Sequence, residues 1–242
     1  MAALVSIVIP VYDGEARIAL TLDAVSGYLR RRGPFEILVV DDGSRDRTAE
    51  VVRAYAEGHP EVTLIRLGAN RGKGAAVRAG VMQAAGARIC FCDADLPIAV
   101  EELGNLLRRL EDGCDVAIAS RALPQSVVVR PSPVRWLLSQ GFNATVRWLL
   151  RLPFRDTQCG LKGFRRDAAR AIFSRARVEG FAFDVELLLI AERLRLRVVE
   201  MPVRCDNPTP STVSLIAHTG PIVRDLWRIF WTLHRANGSV DG

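Results

Sequence analysis

No stretch of the 242-residue sequence approaches the roughly 18 consecutive apolar residues that a membrane-spanning helix needs. The apolar N-terminus has no basic region ahead of it and Pro10 cuts it short, so it does not read as a secretory signal. The expectation is a chain that stays where it is made. Cysteines are few and without paired spacing: Cys90, Cys92, Cys114, Cys159 and Cys205. That argues against a disulfide framework or a zinc site. It predicts buried reduced thiols, with Cys90 and Cys92 on one face of a strand. No internal repeat or low-complexity tract is visible.

What is present is globular: 49% hydrophobic and 25% charged, enough for a sizeable core. The charge is uneven. Between Arg121 and Arg177 twelve basic residues face two acids, giving +10, which leaves −4 for the rest of a chain whose total is +6. A basic half beside a mildly acidic one points to an anionic partner: phosphates, anionic lipid or nucleic acid. The basic region interleaves with apolar stretches and carries no nucleic-acid module, so nucleic acid is the weakest of the three.

The sequence is organised around Ile89-Cys90-Phe91-Cys92-Asp93-Ala94-Asp95-Leu96-Pro97. A short apolar run ended by a breaker reads as a buried strand, and open α/β sheets bind ligands beyond the carboxyl ends of their strands. Two hard oxygen donors there suit Mg²⁺ or Mn²⁺ shared with substrate phosphates. Three further apolar runs, 5–12, 36–40 and 62–67, read as strands. They alternate with helical patterns at 15–31, 48–57 and 75–85. A helix at 101–110 and a strand at 115–120 follow. The alternation predicts an α/β, Rossmann-like, mostly parallel sheet with helices on both faces. Its strand ends would bring Tyr12, Asp41, Asp42, Arg71, Lys73, Asp93 and Asp95 to one edge. A plain turn with a helix cap competes for Asp41-Asp42-Gly43-Ser44, and a flexible turn for Asn70 to Gly74.

Ile9-Pro10-Val11-Tyr12, Val39-Val40-Asp41-Asp42-Gly43-Ser44, Asn70-Arg71-Gly72-Lys73-Gly74-Ala75-Ala76 and Asp93-Ala94-Asp95 together resemble the family 2 glycosyltransferases of GT-A fold. Asp156-Thr157-Gln158-Cys159-Gly160-Leu161-Lys162-Gly163-Phe164 resembles the subgroup acting on polyprenyl and dolichyl phosphates, nearest its glucosyl branch. The resemblance covers roughly 5–213. It implies donor binding by Pro10, Tyr12, Glu15, Asp42, Arg71, Lys73, Asp93, Ala94 and Asp95. The metal would sit on Asp93 and Asp95. The donor it favours is UDP-glucose, with GDP-mannose next. Asp13-Gly14 departs from the family pattern. So does Pro210-Ser211-Thr212, where a phosphate-contacting lysine is missing.

In the second half, 134–152 places Val134, Leu137, Leu138, Phe142, Leu149 and Leu152 on one arc. Ser139, Gln140, Asn143, Arg147 and Arg151 fall opposite, and Trp136 and Leu150 break the pattern. Residues 223–235 are similarly amphipathic. Both segments suit a membrane interface, against the plainer reading of core packing. Asp184 and Glu186 either face the donor sugar or serve as acids at a helix N-terminus. The division expected is 1–120 for the nucleotide sugar, 121–213 for the acceptor side of the same domain, and 214–242 as an amphipathic tail.

The expected chemistry is inverting transfer of a hexose to a polyprenyl phosphate. The catalytic candidates are Asp93, Asp95, Arg121 and Asp184. Arg121, Arg135, Gln158 and Arg204 are assigned to the acceptor. The protein would be peripheral on the cytoplasmic face of a membrane. A soluble acceptor, a sugar nucleotidyltransferase and a non-catalytic nucleotide-sugar module are the competing readings. Pro10-Val11-Tyr12 stands where a nucleotidyltransferase has a glycine-rich basic turn.

Overall fold

The computed structural model describes residues 4–129 and 133–206, together with the helical residues 225, 226 and 229; for 133–140 and 142 it describes the backbone alone. In chain order the elements are β1 Val5–Val11, α1 Ile18–Leu29, β2 Phe35–Asp41, α2 Thr48–Glu57, β3 Val62–Arg66, α3 Lys73–Gln83, β4 Arg88–Phe91 and α4 Glu102–Glu111. The second half continues with β5 Val116–Ser120, β6 Val127–Val129, α5 Pro133–Leu150, β7 Lys162–Arg165, α6 Arg166–Phe173, α7 Phe183–Arg193, β8 Val198–Pro202 and β9 Arg204–Asp206.

Seven strands form one sheet in the order β3-β2-β1-β4-β7-β5-β8. All neighbours are parallel except β7, which runs antiparallel between β4 and β5. Strands β7 and β8 of the second half thus lie in the same sheet as β1–β5. β1 is buried along its whole length, because helices cover both faces and leave no solvated side for polar alternation. Ile7 and Ile9 face α1 and α4, packing with Leu22, Val25, Leu106 and Leu110. Val8 faces the other layer, with Val77 and Val81 of α3, Ile172 of α6 and Leu188 of α7. Cys90 and Cys92 share the first face, and all five cysteines are buried and reduced.

The register fixes the functional edge. Val11 pairs with Asp41, and the Asp42 N–H donates to Val11 O at 2.9 Å. Val8 pairs with Phe91, and the Cys92 N–H donates to Val8 O at 3.1 Å. Asp42 and Asp93 therefore emerge on either side of β1. A two-stranded parallel ladder, β6 with β9, lies beside this edge.

Helix α5 corrects one expectation. Its inward line is Asn143, Val146 and Leu150, at helical spacing of three and four. Asn143 is buried because its Oδ1 accepts both the Thr157 N–H (3.1 Å) and the Thr157 hydroxyl (2.9 Å). Trp148 points outward, 82% exposed. Helix α6, with Ala169, Ile172 and Phe173 inward, was not anticipated. The 223–235 segment and Pro210-Ser211-Thr212 lie outside the described residues except for 225, 226 and 229. Leu226 and Ile229 are buried in the same core layer as α6 and α7.

Helix α3 lies so close to the sheet that Gly80 has no room for a side chain. A Cβ there would stand 2.4 Å from Val8 Cγ1 and 2.9 Å from Val40 Cγ2. Gly80→Ala is expected to lower stability by about 1–2 kcal/mol in urea denaturation: overpacking costs about 1–3 kcal/mol and exceeds the helix-propensity gain of about 1. An unchanged or higher midpoint would show that the layer yields.

Candidate active site

Asp93-Ala94-Asp95 leaves the end of β4 in a tight turn. The Leu96 N–H donates to Asp93 O at 3.1 Å, and Leu96 adopts φ +40°, a left-handed conformation uncommon for leucine. The Thr21 hydroxyl on α1 donates to Ala94 O at 2.6 Å and pins the turn from below. Strained backbone held by such contacts is a frequent mark of a functional site.

Lys73, the first residue of α3, places Nζ 2.5 Å from Asp93 Oδ1. The other carboxylate oxygen lies against Gly160, where a Cβ would stand 1.9 Å from Asp93 Oδ2. Burial by itself would lower the Lys73 pKa. The carboxylates of Asp93, Asp184 and Asp95 outweigh it and push the value up to about 12. The Asp95 pKa is raised, first by partial burial of its carboxyl and then by the charge of neighbouring Asp93.

Beneath this pair is a second. Lys162 is fully buried in β7, with Nζ 2.6 Å from Asp184 Oδ1 and 2.7 Å from Cys159 O. Burial raises the Asp184 pKa, and the two lysines oppose the rise. Each ammonium also lies over an aromatic ring: Lys73 is 5.8 Å from the Phe183 centroid and Lys162 5.6 Å from that of Phe91. Those two rings are themselves 5.8 Å apart. The start of α3 is pressed on the loop before α7. Glu179 O accepts the Gly74 and Ala75 N–H groups at 2.7 and 3.2 Å. That capping explains why α3 begins at Lys73 and not at Ala75.

Around this cluster the remaining candidates fall into three groups. Asp42, buried, accepts the Arg71 N–H at 2.9 Å on one oxygen and the Gly72 N–H at 2.8 Å on the other. Burial raises its pKa despite those bonds. Pro10 is buried in β1, and Tyr12 is 37% exposed at its end. The Arg71 guanidinium pairs with Glu179, and Glu15 accepts the Arg47 N–H at 2.9 Å.

On the other side, Arg121 clasps Asp156 in two parallel bonds of 2.7 and 3.0 Å. Burial would raise the Asp156 pKa, but Arg121 holds it below the usual carboxylate value. The Gln158 N–H donates to Asp156 Oδ1 at 3.2 Å, and its buried Nε2 has no hydrogen-bond partner among the described residues. Glu186 accepts the Arg177 and Val178 N–H groups, so it ties down a loop. Arg204, on β9, is exposed beside Asp206 at 3.4 Å, and its carbonyl accepts the Ala99 N–H. Arg135 lies in the first turn of α5, where the backbone alone is described.

The sequence reading missed Lys162. A signal existed: of 33 basic residues only Lys73 and Lys162 are lysines, and both sit on this cluster's carboxylates.

The donor set fits a hard divalent cation. Asp93 and Asp95 would supply hard oxygen ligands at the functional edge, and Lys73 pairs with only the first of them. Among the described residues no three acids, histidines or cysteines converge into a self-sufficient metal cage. Mg²⁺ or Mn²⁺ held by one or two carboxylates with substrate phosphates needs no such cage.

The model of glycosyl transferase family 2 matches residues 6–173. The chain belongs to that family. Among its relatives are dolichyl-phosphate beta-glucosyltransferases. That of Homo sapiens is 38% identical over 213 residues, 82% of this chain and 66% of that one. Those of Drosophila melanogaster (38%; 93% and 74%) and Trichomonas vaginalis (37%; 81% and 62%) are comparable. The chain thus spans about two thirds of the length of these relatives. Glucosyl-3-phosphoglycerate synthase of Mycobacterium tuberculosis, solved with Mn²⁺, uridine diphosphate and glucosyl-3-phosphoglycerate, superposes with a TM-score of 0.70 at 19% identity. The match covers 96% of this chain and 80% of that one. This likeness shows the GT-A-like fold.

The Arg121–Asp156 clasp makes a pH prediction. A folded pKa below the ordinary carboxylate value of 3.8 contributes stability above that value and loses it as pH falls through the lower folded value. The stability advantage of wild type over Asp156→Asn is therefore expected to be full at pH 7 and to shrink below pH 3.8. Urea denaturation of both proteins across pH 3–7 measures it, and a gap that stays constant would contradict the assignment.

Proposed function

We propose that this family 2 glycosyltransferase moves glucose from a nucleotide diphosphate sugar, UDP-glucose favoured over GDP-mannose, to a dolichyl or other polyprenyl phosphate. The observation that carries the reading is the carboxylate pair Asp93/Asp95 with Lys73 at the functional edge of the sheet. It stands in a chain whose relatives carry the dolichyl-phosphate beta-glucosyltransferase name. A divalent ion on Asp93 and Asp95 would offset charge on the leaving diphosphate. The strained Asp93–Leu96 turn holds both carboxylates in place before the donor arrives. Asp42 holds the Arg71-Gly72 backbone and keeps lone pairs for a base N–H, since a carboxylate accepts about four hydrogen bonds. The acceptor phosphate is already an anion, so it needs orientation more than a base. Arg121, Arg135, Gln158 and Arg204 are its candidates. Gln158 is the most pointed, with a buried donor that has no partner among the described residues. In-line attack inverts the anomeric carbon.

No described helix is long and apolar enough to cross a membrane. Peripheral binding on the cytoplasmic face, through the basic second half and α5, would bring the site to a lipid acceptor.

Radiolabelled UDP- and GDP-sugars tested for transfer into butanol-extractable lipid decide the reaction. UDP-glucose label is expected in the lipid, and label only in water-soluble product would favour a soluble acceptor. Asp95→Asn is expected to cut transfer about a hundredfold or more with an unchanged melting temperature, because Asp95 is exposed and holds no core contact. Full activity in that variant, with EDTA also harmless, would remove the metal from the mechanism. Cosedimentation with anionic liposomes is expected at low salt and should weaken as salt rises.

A further inference from the structure

The loop from Arg155 to Cys159 is held residue by residue. Glu200 on β8 accepts the Arg155 N–H at 3.0 Å and the Asp156 N–H at 3.1 Å. Asn143 on α5 accepts the Thr157 N–H at 3.1 Å, and Lys162 on β7 donates to Cys159 O at 2.7 Å. Asp156 itself holds Gln158. Its Oδ2 accepts the Arg121 N–H at 3.0 Å and the Arg121 Nε–H at 2.7 Å. Its Oδ1 accepts from Arg121 Nη2 at 3.0 Å and from the Gln158 N–H at 3.2 Å. A carboxylate accepts about four hydrogen bonds, so Asp156 is saturated by two residues. It is 2% exposed and can act on a ligand only through them.

Both of those residues keep unused donors. Asp156 engages the side edge of the Arg121 guanidinium, formed by Nε and Nη2. The end edge, Nη1 with the second Nη2 hydrogen, is another fork of the same geometry, and it has no partner among the described residues. Two parallel N–H groups match two oxygens of a phosphate. The Arg121 side chain is 35% exposed, so part of it is open to a ligand. Gln158 adds its buried Nε2, also unpartnered among the described residues. Arg121 Nη2 and the Gln158 N–H meet on one oxygen, so the two residues are neighbours. Two residues on, Gly160 lies against the Asp93 carboxylate, which sets this pair beside the donor site.

We propose that Asp156 is the positioning residue of the acceptor-phosphate site: it turns the end fork of Arg121 and fixes the backbone from which Gln158 offers its amide. The ligand class is a phosphomonoester. The Arg121–Asp156 pair is neutral as a whole, so directed hydrogen bonds select the ligand more than net charge does. This role deepens the acceptor reading made above and rests on it. Glu200 acts one step further out, by fixing the Asp156 backbone. Neither carboxylate touches the substrate.

The test measures glucose transfer from UDP-glucose to farnesyl phosphate by the full chain, with KM taken separately for donor and acceptor. Asp156→Asn keeps the size of the side chain but turns one acceptor oxygen into an amide that faces N–H groups. It is expected to raise the farnesyl phosphate KM about tenfold, the lower end of what a hydrogen bond to a charged group is worth, with the UDP-glucose KM within about twofold. A merely structural role would lower the amount of active enzyme, hence the apparent kcat, and leave both KM values. Glu200→Ala frees two backbone N–H groups and leaves the Arg121–Asp156 bonds in place. It is expected to raise the same KM several-fold, and Glu200→Gln, which keeps an acceptor oxygen, to restore it. The Glu200 pair decides the matter if Asp156→Asn does not fold. An unchanged acceptor KM in the folded variants, or equal rises for donor and acceptor, overturns the proposal. Glycerol 3-phosphate, run in parallel, separates a lipid phosphate from a free one. Transfer to it alone would replace the lipid by a soluble phosphomonoester, and the same KM comparison would then be made on it. No transfer by the wild-type protein to either compound would overturn the acceptor reading, and the proposal with it.

Discussion

An ammonium group with no exposed surface is the constraint on which this site is built. Lys162 sits in β7 between β4 and β5, where solvation is gone and only hydrogen bonds make a charge tolerable. Asp184 and the Cys159 carbonyl supply them. The ion pair therefore dictates where α7 begins relative to the sheet. From there the contacts run outward: α7 and its preceding loop cap α3, and α3 carries Lys73 to Asp93. Removing one partner alone would strand a buried charge, so the geometry of the outer pair depends on the integrity of the inner one.

Close approach is the second constraint. Gly160 lets the loop after Asp156 touch the Asp93 carboxylate, and Gly74 lets α3 meet the entry to α7. These are steric requirements, satisfied by the absence of a Cβ, and they leave the site little slack. The Asp93–Leu96 turn shows the same economy: it is held by a hydroxyl from α1 and by its own backbone, and tolerates a leucine at positive φ. A rigid carboxylate pair loses little conformational entropy when it takes up a ligand.

Much of this was legible in the sequence. A buried parallel strand is an uninterrupted apolar run, so β1, β2 and β4 and the carboxylates at their ends could be read directly. Elements in the second half were harder. Asn143 was assigned to the polar face of α5, because helical periodicity sorts residues by polarity and cannot see that Thr157 would satisfy an inward amide. Lys162 escaped for the same reason: nothing local marks a lysine as buried when its partner is 22 residues away. Asp42 was legible as a site residue. Its two backbone bonds to the Arg71-Gly72 loop were not, since they join segments 29 and 30 residues apart. Long-range polar pairing is what pattern reading loses.

The same pairing connects the outer helix to the chemistry. Asn143 on α5 holds Thr157, whose neighbour Asp156 is clasped by Arg121, and three residues on Gly160 rests against Asp93. Each link is buried or partly buried, so water does not compete freely with it. A helix with Trp148 on its outer side is thus fixed by short bonds to the loop that bounds the carboxylates. Arginine suits the Asp156 position: a planar fork orients the loop through two bonds at once, whereas an ammonium would fix one point. At Asp93 the preference reverses. A compact ammonium meets Asp93 Oδ1 at a single point, without the fixed two-bond geometry of a guanidinium. The chain uses arginine for 31 of its 33 basic residues and keeps lysine for the two positions on Asp93 and Asp184. The distribution follows the physical difference between a planar two-point clamp and a compact point charge.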